Sequence, residues 1–323
     1  MSHAIYINAR FLSQRLTGVQ RYAFELVKTL DRLLADATLP DDITFTLVAP
    51  AKILTTPTLA CIELRQVGRL SGHLWEQVEL PLYTAGHPLV SLCNTAPLAK
   101  TEQVLTIHDA AVYGAPDAYS FAFRSWYRLL FSTLGRRLRA VITVSEFSKS
   151  ELLHYCSIPA ERLHVIYSGR EHAVATPADA SILLEHHLSD RPYLLAVSSL
   201  SPHKNFSGIV KALEILEADA GEFDVAIAGG ANPSVFSQDS HPLSDRVKYV
   251  GYVSDAQLRA LYENARGFIY PSFYEGFGLP PLEAMSCGCP VIVSQAASLP
   301  EVCGDAALYC DPHDPGDIAD KMQ

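Results

Sequence analysis

Two glutamates, Glu275 and Glu283, stand with seven residues between them in the stretch YPSFYEGFGLPPLEAMSCGCPVIVS. An ionised carboxylate is an acceptor-only group with two oxygens, which suits it to ligands rich in hydroxyls. Between the pair, Gly276 and Gly278 flank Phe277 and allow the backbone to turn sharply and approach a ligand. Pro280 and Pro281 then open a helix, and the spacing predicts Glu283 in its first turn. A helix start presents N–H groups and a positive dipole end, both suited to a phosphate. On this reading Glu283 accepts hydrogen bonds from ribose hydroxyls and Glu275 from a sugar ring. The plainer alternative is a capping carboxylate and a solvated loop glutamate.

Three further positions can do related chemistry. Lys204, in SPHKN, follows an apolar strand and can neutralise a diphosphate as a point charge. The alternative is a solvated surface lysine. Gly18, in TGV, sits between a strand and a helix, where its backbone can approach a ligand; turns also need glycine for their own geometry. His108 and Asp109 end the strand-like VLTIHD. A histidine there can bind a hydroxyl or titrate near neutrality, or be satisfied within its loop.

These residues must be positioned by a frame, and the frame is legible. Short β-branched runs at 4–9, 43–50, 90–92, 104–109, 140–145 and 163–169 alternate with helical patterns at Val19–Leu34, Phe121–Leu138 and Phe147–Tyr155. The second half repeats the alternation, with strands at 193–199, 223–230, 248–253, 267–272, 290–294 and 306–310. Its helices are expected at about 205–217, 255–264, 280–286 and 298–303. Such alternation implies parallel sheets covered on both faces. The expected fold class is α/β, with two doubly wound Rossmann-like domains facing each other across a cleft. Their expected bounds are 1–172 and 190–323, joined by a linker with a short helix across 170–192. Open α/β sheets bind ligands beyond the carboxyl ends of their strands, where every candidate above falls. Asp314-Pro315 reads as a helix start with few residues after it, so the second domain is expected to lack its natural C-terminal helix.

Composition narrows the class. Hydrophobic residues are 49% and charged residues 19% of the 323, which excludes a disordered chain. Residues 1–170 carry 17 Lys+Arg against 14 Asp+Glu, and residues 171–323 carry 8 against 21. The halves are thus +3 and −13, and the acidic second half argues against nucleic acid as a partner. Seven cysteines without framework spacing read as reduced thiols in a cytoplasmic protein. Cys287-Gly-Cys289 has no second pair at zinc-site spacing, so no metal is expected. The N-terminus is too short in apolar residues for a signal peptide, and no run reaches membrane-span length.

The stretch EGFGLPPLEAM, followed by CGCPVIVS, resembles the E-x7-E signature of retaining glycosyltransferases of the GT-B fold, family 4, formerly group 1. Supporting segments are TGVQRY (17–22), VLTIHD (104–109), VITVSEFSK (141–149), AVSSLSPHKN (196–205) and VKYVGYVSDAQLRALYENA (247–265), so the resemblance spans nearly the whole chain. It implies transfer from a nucleotide-diphosphate sugar with retained anomeric configuration, with neither metal nor other cofactor. It implies that Glu275 contacts the donor sugar and Glu283 the ribose. The amides of Gly276, Phe277, Gly278 and Leu279 then meet sugar or phosphate, Lys204 the diphosphate, and Gly18 both diphosphate and acceptor; Glu275 and His108 are the catalytic pair, His108 facing the reaction centre and, with Asp109, contacting the acceptor. The family's usual pattern has Arg five residues before this Lys; here Ser199 stands in its place, with His203 or backbone amides as substitutes.

The helix at 121–139 carries five Arg and no acid beside Trp126 and Tyr127. A basic amphipathic helix can lie on an anionic membrane, or simply pack its apolar face on a sheet. The resulting expectation is a hexosyltransferase, mannosyl among the candidates, acting on a glycan or lipid-linked saccharide in surface polysaccharide synthesis, cytoplasmic and peripheral at the membrane's inner face. The rival readings are a nucleotide-sugar epimerase or phosphorylase on the same scaffold, and a non-catalytic glycan-binding relative.

Overall fold

The structure, a computed structural model, describes residues 3–197, 201–217, 223–229 and 246–323. The chain forms two compact units, one of residues 1–114 and 119–169, the other of 115–118 and 170–323.

The first unit holds seven parallel strands: β1 (His3–Asn8), β2 (Ile43–Pro50), β3 (Glu63–Val67), β4 (Leu89–Ser91), β5 (Gln103–Thr106), β6 (Ala140–Thr143) and β7 (Leu163–Val165). Their order across the sheet is β3-β2-β1-β4-β5-β6-β7. Among the described residues the second unit holds six: β8 (Tyr193–Val197), β9 (Asp224–Ala228), β10 (Val247–Gly251), β11 (Gly267–Tyr270), β12 (Val291–Ser294) and β13 (Ala307–Cys310), in the order β10-β9-β8-β11-β12-β13. All of its pairings are parallel too.

Both faces of the second sheet are buried, which is why its strands are nearly continuous apolar runs. Side chains alternate between faces: Leu195, Ala226, Phe268 and Val291 join one core cluster, and Leu194, Ala196, Val225, Ile227, Ile269 and Ile292 the other. Helix Phe206–Glu217 covers the latter face with Ile209, Ala212 and Leu213. Helix Pro315–Met322 buries Ile318, Ala319 and Met322 in the same cluster. Eight residues are a marginal helix alone, and this tertiary packing sustains it.

The expected strands are present, but several stop before the predicted carboxyl end. β5 ends at Thr106 and β11 at Tyr270: Ile107 N–H still reaches Ile142 of β6, but His108 N–H turns to Asn94 Oδ1, and Pro271 after β11 has no N–H to give. Two elements escape the sequence patterns. β3, ELRQV, has no apolar face and pairs as an edge strand with β2. A helical run over 72–83, π-helical at Trp75–Glu79, buries Trp75, Glu76 and Leu80. The segment 170–192, expected as a linker with one short helix, contains two, His172–Ala175 and Ser181–Glu185. Its Ile182, Leu183 and Leu188 are buried in a core cluster of the second unit.

One buried carboxylate ties the long helix Gly18–Ala35 to the approach to β3. Asp31 accepts from the backbone N–H groups of Ala60, Cys61 and Ile62, each at 2.8 Å. Burial works to raise its pKa, but the three amides outweigh it and hold the carboxyl below its ordinary value. The charged form is therefore favoured by folding. Its contribution is complete above the unfolded pKa and is lost as pH falls through the carboxylate range. Asp31→Ala is expected to cost about 2–4 kcal/mol in urea unfolding at neutral pH, and less at acid pH.

Candidate functional site

Strand order reverses direction between β8 and β11 in the second sheet and between β1 and β4 in the first. Such switch points leave a crevice beyond the strands' carboxyl ends, where open α/β sheets take ligands.

At the second unit's switch point, two loops bring opposite charges together. After β8, a single turn Pro202–Lys204 ends at Asn205, whose φ of 54° lies in the left-handed region that Asn tolerates. Asn205 is buried, and its Nδ2 donates to the carbonyls of Pro271 (3.0 Å) and Pro312 (2.7 Å), pinning this loop to those after β11 and β13. Lys204 is thereby aimed at the loop after β11. Its Nζ donates to Glu275 Oε1 at 2.7 Å, Glu275 Oε2 at 2.8 Å and the Tyr270 hydroxyl at 2.9 Å. Burial alone would lower the lysine's pKa, but the Glu275 charge and the Tyr270 hydroxyl reverse this and hold it raised. Burial and the Glu275 charge both push the Tyr270 phenol up, so it stays protonated. An ammonium has three N–H bonds, and all three are engaged here. A phosphate oxygen reaching Lys204 must therefore share or displace one of them.

The turn after Glu275 is held from below. Ser298 Oγ bonds to the carbonyls of Glu275 (3.0 Å) and Phe277 (2.8 Å). Gly278 adopts φ 106°, and a Cβ there would stand 2.8 Å from Leu299 Cδ2, so only glycine fits. Helix Leu279–Ser286 follows, with prolines at its second and third positions. Prolines have no N–H, so an anion at this helix end must be met by amides of residues 276–279.

Glu283 is the fifth helical residue and falls just past the first turn, because the helix starts at Leu279, one residue before the prolines. Its Oε1 lies 2.7 Å from His172 Nε2, and its Oε2 accepts from the Tyr262 hydroxyl at 3.1 Å. Both partners belong to the second unit. The sequence reading found neither, nor Tyr270 or Ser298. Tyr270 and Ser298 flank the motif and were within reach of it; His172 lies more than a hundred residues upstream with no local signal.

In the first unit, Gly18 is exposed at the start of its helix, which is capped by Thr17 and Gln20. His108 and Asp109 follow β5. His108 N donates to Asn94 Oδ1 at 2.7 Å, and its Nε2 lies 2.9 Å from the Leu92 carbonyl. Ser148 Oγ donates to the His108 carbonyl at 3.0 Å, and Asp109 Oδ1 accepts from Ala111 N at 2.9 Å. The His108 ring also packs edge-on against Tyr22 at 4.9 Å. Burial lowers the imidazole pKa to about 4, so the ring is neutral at pH 7. The neutral tautomer that satisfies Leu92 donates from Nε2 and keeps Nδ1 as an acceptor.

At that unit's switch point lies a buried network that the sequence did not announce. Glu76 Oε1 accepts from Asn8 Nδ2 (2.8 Å), Thr95 Oγ1 (2.9 Å) and Arg10 Nε (3.1 Å), while Arg10 Nη2 donates to Thr95 Oγ1 at 2.7 Å. Asn8 also bonds to Ser91 Oγ at 3.2 Å, across β1 and β4. This staples the loop between β1 and Gly18 to the floor of the crevice.

Ser199 lies outside the described residues. Among the described residues, no group of three or more His, Cys, Asp or Glu could hold a metal ion, and all seven cysteines are unpaired. No helix among them is long and apolar enough to cross a membrane. His203, a candidate substitute for the missing Arg, has Nδ1 2.8 Å from Ser201 Oγ.

Two family models match the chain: "Glycosyl transferases group 1" over residues 185–323 and "Glycosyltransferase Family 4" over 82–174. The O-antigen chain mannosyltransferase B of Escherichia coli is 35% identical over 65% of this chain and 58% of its own length. The O-antigen chain mannosyltransferase RfbU of Salmonella typhimurium is 31% identical over 68% of this chain and 60% of its own length. The chain thus spans less than two thirds of these relatives. An Anabaena protein solved with UDP and glucose superposes with a TM-score of 0.73 at 17% identity, covering 100% of this chain and 89% of that one.

The buried state of His108 has a measurable consequence. Its folded pKa lies below the unfolded value, so folding favours the neutral ring. That contribution is present above about pH 6.5 and is lost as pH falls toward about 4. In a pH series followed by NMR, its ring resonance is expected to stay unshifted down to about pH 5. A midpoint near 6.5 would contradict this.

Proposed function

This chain belongs to the glycosyltransferases of group 1, family 4, and from that premise we propose that it moves a hexosyl residue, mannosyl first among candidates, from a nucleotide-diphosphate sugar to a glycan hydroxyl. Its two parallel α/β units are those of the GT-B fold. The observation that carries the proposal is the meeting of Lys204 and Glu275 at the β8/β11 switch point. A cation for the diphosphate and a carboxylate for the sugar hydroxyls stand there side by side, followed by a turn that only glycine can make.

In this reading the donor lies on the second unit. Lys204 shares its ammonium between Glu275 and a phosphate oxygen, and the amides of Gly276, Phe277, Gly278 and Leu279 receive the remaining phosphate and sugar oxygens. Glu283 takes the ribose. Glu275 accepts from the hexose hydroxyls, and its charge stabilises the positive character that develops at the anomeric carbon. The bond from that carbon to the phosphate oxygen breaks, and the acceptor oxygen bonds to the same face. The acceptor proton passes to the departing phosphate, so no protein base is needed. His108, neutral at pH 7 with Nδ1 as acceptor, and Asp109 orient the hydroxyls. The mannosyl assignment rests on the names of the two bacterial relatives, and the nucleotide assignment is supported by UDP in the Anabaena structure.

The glycan acceptor is lipid-linked in this reading, and the first unit meets an anionic membrane peripherally at its inner face. In helix Phe121–Arg137, Leu130, Phe131 and Leu134 are buried. Arg128 is tied to the Val112 carbonyl and Arg137 to that of Leu98. Phe121, Phe123, Leu129 and Arg136 are exposed. The neighbouring run over 72–83 adds Leu74, Val78 and Leu82, four residues apart on one exposed face. His73 packs against Trp126 at 5.9 Å and joins the two helices.

Lys204→Ala and Glu275→Ala are each expected to lower mannosyl transfer about tenfold or more, with circular dichroism unchanged. Wild-type rates in both variants would remove the site assignment. The protein is expected to co-sediment with phosphatidylglycerol vesicles, less so in high salt, and a Leu74→Glu, Leu82→Glu double variant to lose most of that binding. Equal sedimentation of the variant would rule out this face.

A further inference from the structure

We infer that His172 is a positioning residue for nucleotide recognition, which, together with Tyr262, sets the Glu283 carboxylate to receive the two ribose hydroxyls. The inference rests on the reading of Glu283 as the ribose acceptor and adds the groups that aim it.

The local construction is specific to that task. His172 opens a four-residue helix, His172–Ala175, too short to be stable by itself. Two longer helices hold it. From helix Asp255–Asn264, Arg259 Nη1 donates to the carbonyls of Val174 (2.8 Å) and Thr176 (3.0 Å). Arg259 is itself set by an ion pair from Nε to Glu263 Oε1 at 2.6 Å. From helix Leu279–Ser286 and its cap, Cys287 Sγ lies 3.8 Å from the Ala173 carbonyl. The backbone of the short helix is thus fastened, and its first side chain points at Glu283 with Nε2 at 2.7 Å. The imidazole side chain is only 7% exposed and that of Glu283 13%.

The second clamp comes from the opposite oxygen. Tyr262 is buried, and its hydroxyl donates to Glu283 Oε2. Burial and the Glu283 charge both raise the phenol's pKa, so it remains a donor at any physiological pH. A carboxylate offers about four lone-pair positions. His172 occupies one on Oε1 and Tyr262 one on Oε2, leaving one on each oxygen. Two acceptors on one rigid carboxylate match two vicinal hydroxyls, and a locked rotamer avoids the entropy of ordering a free glutamate on binding. Free Glu283 would have several rotamers in the second turn of its helix; the clamp leaves one.

The test uses calorimetry with GDP and UDP, taking whichever binds the wild-type chain more tightly, alongside its 2′,3′-dideoxy analogue. The wild type is expected to prefer the parent nucleotide about tenfold or more. Glu283→Ala is expected to abolish the preference. His172→Ala is expected to cut it at least about threefold, leaving the dideoxy affinity within about twofold of wild type; a general loss of structure would weaken both nucleotides equally. His172→Gln, which retains a donor at a similar reach, is expected to restore most of the preference, and Tyr262→Phe to reduce it. A wild-type preference that survives in both His172→Ala and Tyr262→Phe overturns the inference alone. No preference in the wild type, or no binding of either diphosphate at millimolar concentration, overturns the ribose reading of Glu283 and this inference with it.

Discussion

The ion pair between Lys204 and Glu275 is the contact around which the second unit is arranged. Each partner lies on a loop leaving a different strand, and the two strands are the pair at which the sheet reverses its order. Burying both charges is costly unless each is fully bonded. The surroundings meet that requirement: Lys204 has three acceptors, the Tyr270 hydroxyl is one of them, and Asn205 and Ser298 fix the backbone on either side. The pair therefore demands accurate loop geometry, and accurate loop geometry is what a substrate needs.

A similar economy operates in the first unit. Its switch point is also closed by a buried ion pair, Arg10 with Glu76, but there the charges are sealed beneath side-chain partners from β1 and β4. Glu76 reaches that point from a π-helical turn, which rotates the helix enough to bury Trp75, Glu76 and Leu80 together while Leu74, Val78 and Leu82 stay outside. One irregular turn thus serves two surfaces: the crevice floor and the exposed apolar stripe.

Glu283 shows how a residue's role depends on neighbours that the motif does not contain. The E-x7-E spacing marks both carboxylates, yet it leaves their orientation free. Glu275 is oriented by a lysine 71 positions earlier, and Glu283 by a histidine 111 positions earlier and a tyrosine 21 positions earlier. None of these three separations carries a recognisable signal, because any loop length that closes the same parallel sheet would place the same side chains together.

The division between sequence and structure follows from the range of the forces involved. Strand identity in β8, β9, β11 and β12 was readable because burial on both faces demands continuous apolar runs, and that demand is local. The turn at Gly278 and the family signature were readable for the same reason: a left-handed backbone and a close approach need particular residues in place. By contrast, β3 is a polar strand whose only reason to be one is its partner β2, and its start is set by Asp31 in a distant helix. The segment 170–192 reads as a linker with a short helix because it carries no strand, two prolines and mixed polarity; Ile182, Leu183 and Leu188 find their cover only in the folded core. The amino-acid sequence by itself determined the α/β class and singled out Glu275, Glu283 and Lys204 as the candidate site residues. Tertiary structure alone decided how those groups are aimed, since hydrogen bonds act over about 3 Å and only folding brings residues that far apart in the chain within that reach.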